Sequence, residues 1–96
     1  MNYWAWGGKY IGHRIGDYLY SKNGKPIGKF YDNELYDFNG YYIGEISSED
    51  RLIVNNNSKY KRKCSINEPC NTVGHTYCDH VSYAMYAGYS DFKTER

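Results

Sequence analysis

Apolar residues in the first two thirds of the chain fall into short clusters parted by Gly, Asn, Asp and Lys: NYWAW, KYIGHRI, YLY, KPIGKFY, ELYDF, YYIGEIS and RLIV. Clusters of this length, rich in aromatic and β-branched residues and bounded by turn formers, predict strands. The clusters also repeat. Gly8, Gly24 and Gly40 lie sixteen residues apart, as do Ile11, Ile27 and Ile43, and Gly12, Gly28 and Gly44. Trp4, Tyr20 and Tyr36 keep the same step, and so do Tyr3, Leu19 and Leu35. A degraded fourth copy, RLIVNNNSKYK from Arg51, runs one residue late, with Leu52 in the leucine slot, Asn57 in the turn-glycine slot and Tyr60 in the isoleucine slot.

Each unit reads as a hairpin. Asn23-Gly24 and Asn39-Gly40 predict two-residue type I′ turns, which need positive φ at both central positions. That loop sets Tyr20 against Ile27, Ser21 against Pro26 and Leu19 against Gly28, and the equivalent slots follow. The fourth unit then places Ile53 opposite Tyr60, with Asn57 in the left-handed conformation that Asn tolerates best after Gly. Aromatic–β-branched pairs across two strands are worth about 0.2–1 kcal/mol each. Gly28 and Gly44 leave room for a side chain from a neighbouring unit. One hairpin is barely stable alone, so the four units are expected to share a core.

The phrases YLYSKNGKPIGKF and ELYDFNGYYIGEI resemble those of the bacterial four-fold β-flower proteins, across roughly residues 3–64. The resemblance implies an all-β fold of four hairpins around a pseudo-four-fold axis, and no catalytic residues. The Gly7-Gly8 and Asn56-Asn57 units depart from the phrase. Composition agrees with an all-β fold: thirteen Tyr, two Trp and three Phe make 19% aromatics, with ten Gly and two Pro. The expected organisation is a repeat domain over residues 1–64 and a tail over 65–96 that packs on it.

In the tail, Cys64, Cys70, His75, Cys78 and His80 fall within seventeen residues. All are zinc-ligand types, and any four would complete a tetrahedral site, although no Cys-x-x-Cys knuckle is present. Free thiols and polar loop histidines are the simpler reading. Cys70 or Cys78 with a histidine base would need spatial adjacency that sequence cannot give, and no nucleophile elbow or phosphate loop accompanies them. The segment DHVSYAMYAGY fits a short helix capped by Asp79 and ended by Gly88, with Val81, Ala84 and Met85 on one face. It also fits a strand by alternation of Val81, Tyr83 and Met85. On either reading these residues are expected in the core.

The basic run Lys59-Tyr60-Lys61-Arg62-Lys63 mixes charge with a ring, as nucleic-acid binders do. A solvated edge strand protected by lysine explains it equally. The net charge of +1 gives no global field for nucleic acid or an anionic membrane. No apolar run approaches the length of a membrane span, the start does not read as a signal peptide, and an odd count of three cysteines favours the reducing cytoplasm. The expectation is a small non-enzymatic module that binds a protein partner or itself through aromatic β surfaces. The alternative is a zinc-stapled tail with nucleic-acid or partner binding through the basic run.

Overall fold

The computed structural model describes residues 1–93. The fold is all-β, with strands β1 Asn2–Ala5, β2 Tyr10–Ile15, β3 Tyr18–Ser21, β4 Pro26–Tyr31, β5 Glu34–Tyr36, β6 Tyr42–Ser48, β7 Arg51–Asn55 and β8 Tyr89–Asp91. Successive strands pair antiparallel in chain order, and β1 also pairs with β7. That last pairing, Trp4 with Arg51 and Ala5 with Leu52, is parallel. An up-and-down sheet of seven strands must close this way, because its first and last strands run in the same direction. β8 continues along the same edge of β7, pairing Ile53–Asn55 with residues 89–91. Asp91 joins the two edge partners, its Oδ2 accepting from the Gly7 N–H at 3.0 Å.

Three hairpins have equivalent registers: Tyr3 faces Gly12, Leu19 faces Gly28 and Leu35 faces Gly44. Their turn ends differ from the expected two-residue loop. The Gly24 N–H donates to Ser21 O and the Ser21 N–H to Lys25 O. Gly24 has φ +82° whereas Asn23 does not have positive φ. This is a three-residue loop with a glycine bulge, in which one left-handed residue suffices. Gly8 and Gly40, at φ +99° and +90°, close the same loop. The extra residue slips the register by one, so Tyr20 faces Pro26 rather than Ile27, Trp4 faces Tyr10 and Tyr36 faces Tyr42.

A one-residue slip moves a side chain to the other face of a sheet. Ile11 and Ile27 therefore point into the barrel beside Tyr3, Leu19, Leu35 and Leu52, while Trp4, Tyr20 and Tyr36 face outward. The interior is filled by side chains, as a barrel of this size requires. Gly12 lets the wall close: a Cβ there would stand 1.8 Å from the Tyr20 carbonyl oxygen. Gly44 instead makes room for a ring, since its Cβ would meet Phe92 at 2.7 Å. Phe92 thus fills the space expected for a neighbouring unit's side chain, supplied from just beyond β8.

The fourth hairpin departs most. Residues Asn56–Ser58 form a single 3-10 turn capped by the Asn55 side chain, so Asn57 does not take the left-handed turn. Ile53 faces Asp91, and Tyr60 is 75% exposed. The residues after Asn57 carry too few apolar side chains to line the barrel, whereas Phe92 does so from the far end of the tail. Before β8 the tail is irregular, and the segment 79–88, whose spacing fits a short helix or a strand, forms neither. Asp79 caps no helix; its Oδ1 accepts from the Tyr10 N–H at 2.9 Å. Val81 is 73% and Met85 44% exposed rather than in the core.

Candidate functional site

Residues 59–88 form an irregular strap across the turns of the three hairpins. The Lys63 N–H donates to Gly40 O at 2.8 Å, Thr72 to Gly24 O at 2.8 Å and His80 to Gly8 O at 2.7 Å. Gly8, Gly24 and Gly40 are thus the docking points. A Cβ at any of them would meet a strap carbonyl oxygen: His80 at Gly8, Thr72 at Gly24 and Lys63 at Gly40, each within 2.1 Å. Strap side chains then cover the outward rings. His80 stacks on Trp4 with centroids 3.8 Å apart, His75 meets His13 edge-on at 4.9 Å beside Tyr20, and the Lys63 ammonium lies 5.3 Å from the Tyr36 ring. The Trp4 and Trp6 indole N–H groups donate to Cys78 O and Ala84 O at 2.8 and 2.9 Å.

The cysteine–histidine cluster is not gathered. Cys64, Cys70 and Cys78 are free and exposed. Among the described residues, no three Cys, His, Asp or Glu side chains are grouped to hold a metal. His75 and His80 face His13 and Trp4, and His80 Nε2 lies 4.0 Å from Asp50 Oδ2. His13 is buried with no partner for its Nδ1. Burial, then His75 and the terminal ammonium, hold its pKa below the usual histidine value.

The basic run is divided between two tasks. Lys61 pairs with Glu34, which lowers the Glu34 carboxyl and raises the Lys61 ammonium pKa through their shared hydrogen bond. Lys63 lies over Tyr31 and Tyr36. These two tie the strap down. Lys59 and Arg62 turn to a separate cleft of about 360 Å³ beside β6, β7 and β8, with Tyr41, Ile43 and Val54 forming its apolar side. Arg62 sits over the Tyr41 ring at 4.4 Å. Tyr60 projects into solvent.

A third surface lies where the strap passes Trp6. Tyr83 and Tyr86 approach the indole with centroids at 4.9 and 5.3 Å, leaving a shallow hollow of about 320 Å³. Beneath it Arg51 is buried, its Nη1 donating to Trp6 O at 3.2 Å and its guanidinium 4.0 Å over Tyr83. Asp50 supplies the countercharge, 3.8 Å from Arg51 Nε. Sequence reasoning did not single out Arg51, His13 or Trp6. Arg51 and His13 occupy strand positions where a polar residue ordinarily faces solvent, and only the strap's path buries them. No helix among the described residues is long and apolar enough to cross a membrane. No protein-family model, no curated protein and no solved structure matches the chain.

Proposed function

We propose that the protein is a non-enzymatic interaction module that binds through the outer face of the strap, with a second copy of the chain as the occupant. The observation that carries this reading is the exposed apolar run Val81, Tyr83, Met85 and Tyr86, with Tyr86 54% exposed. Contiguous apolar surface on a small domain marks an interaction site, and aromatic residues and Met are enriched at interfaces. The run is already fixed by Trp6 and by the Tyr83 N–H to Trp6 O hydrogen bond of 3.1 Å, so association costs less ordering entropy than for a free loop. A net charge of +1 sets up little repulsion between copies.

Sedimentation velocity from micromolar to millimolar protein is expected to show a monomer–dimer equilibrium. The Met85→Ser/Tyr86→Ser double variant is expected to remain monomeric while keeping the same far-UV spectrum. A wild-type chain that stays monomeric throughout overturns the reading. Kinship with the four-fold β-flower proteins rests on the repeated phrase, belongs to the same proposal and adds no activity. A cytoplasmic location is supported by three exposed, unpaired thiols.

A further inference from the structure

The cleft beside β6, β7 and β8 shares none of the lining residues Trp6, Tyr83, Ala84 and Tyr86 of the hollow at Trp6 and has a different chemistry. It combines an apolar side, from Tyr41, Ile43 and Val54, with three cationic residues, Lys59, Arg62 and Lys93. Among the described residues that line it, Asp91 is the carboxylate, and its oxygens already accept from the Gly7 N–H at 3.0 Å and the Phe92 N–H at 2.8 Å. Among the described lining residues positive groups thus outnumber negative ones, although the molecule as a whole is nearly neutral.

Arg62 is held in place. Its Nη1 donates to Lys59 O at 2.9 Å and Lys61 O at 3.0 Å, and its plane lies over the Tyr41 ring. An arginine fixed on a ring presents a flat cationic shelf, against which another planar group stacks well. The volume of about 360 Å³ falls at the lower end of the roughly 300–1,000 Å³ of small-molecule sites.

We infer that this cleft binds a small organic anion with a flat apolar body, of mononucleotide or aryl-phosphate size. The anionic group meets Lys59, and the ring lies along Tyr41, Arg62 and the Ile43–Val54 wall. A longer nucleic-acid strand suits the surface less well. Such a strand needs a continuous cationic track, whereas Lys61 is paired with Glu34 and Lys63 is turned onto Tyr31 and Tyr36.

The test is an amide NMR titration of the full chain with adenosine monophosphate, inorganic phosphate and a short oligothymidylate as probes. Adenosine monophosphate is expected to saturate the protein, with shifts centred on Ile43, Val54, Lys59 and Arg62. Inorganic phosphate, lacking the ring, is expected to bind at least about tenfold more weakly. Lys59→Gln changes an exposed side chain and is expected to weaken nucleotide binding by about tenfold, the loss of one charge-assisted hydrogen bond. Lys22→Gln, on a hairpin turn, serves as the control and is expected to change nothing. Equal binding of phosphate and nucleotide, shifts centred elsewhere, or equal effects of the two lysine variants would each overturn the inference. Tighter binding of the oligonucleotide than of the mononucleotide would also overturn it, by making the ligand a strand.

Discussion

His13 is the residue whose surroundings most constrain how the molecule responds to acid. It lies under the strap with Tyr20 stacked at 5.8 Å and His75 edge-on at 4.9 Å, and the terminal ammonium adds a positive field. Each influence disfavours the imidazolium, with burial the largest, and the folded-state pKa lies below the free value of 6.5. The unfolded chain therefore takes up the proton first as pH falls. His13 leaves stability intact above about pH 6.5 and erodes it as pH drops through the lower folded value. Thermal melts across that window are expected to show a falling midpoint, and His13→Gln is expected to flatten the slope. A wild-type midpoint that stays level between neutral and mildly acid pH would contradict the buried placement of His13. The imidazole was legible in the sequence only as a polar position in a strand. Nothing within its own cluster announces the strap above it.

At the scale of elements, Gly8, Gly24 and Gly40 serve two purposes. Each allows its hairpin loop to close, and each lets a strap carbonyl come within reach of the loop. Gly24→Ala tests the second purpose. Left-handed strain costs about 1–2 kcal/mol for a residue with a Cβ, and the new Cβ would stand 1.9 Å from Thr72 O. Hydrogen exchange is expected to show the Thr72 amide losing protection while Leu19 and Leu35 keep theirs. Protection at Thr72 equal to wild type would mean that the strap is not held at that turn.

The strands, the leucine-slot core and the base of each hairpin were readable from the sixteen-residue spacing, because side-chain alternation and burial act over neighbouring residues. The register at the turn ends was not, since Asn-Gly serves both the two-residue loop and the glycine-bulged loop. The tail misled for a related reason. Val81, Ala84 and Met85 carry a helix-like spacing, but their segment is fixed by hydrogen bonds to turns far away in the chain. A faint signal was present there. Cys70 and Cys78, Thr72 and His80, and Val73 and Val81 all stand eight residues apart, an echo of the strap meeting successive turns. The candidate cleft was half legible: the basic run named Lys59 and Arg62, while its apolar wall comes from strands that only the closed sheet brings alongside.

For the molecule as a whole, closure depends on a ring from its far end. Phe92 is buried against Gly44 within the core formed by all three hairpins. Phe92→Ala is expected to cost about 3–5 kcal/mol, as large-to-small changes at buried aromatics do. A small domain has about 5–15 kcal/mol in total, so the urea midpoint should fall by about a fifth or more. A loss under about 1 kcal/mol would show that the barrel is complete without β8.

The strap leaves the barrel after β7 and returns to it as β8, so it is tethered at both ends. It cannot peel away progressively as a free tail would. It can lift only as a bight between two fixed points, one hairpin turn at a time, with most of its loop-closure entropy already spent by the sheet. One break in the backbone between those points would therefore leave two pieces still clasped by the β7–β8 ladder and by Phe92. The cover of this barrel behaves as a hoop rather than a flap.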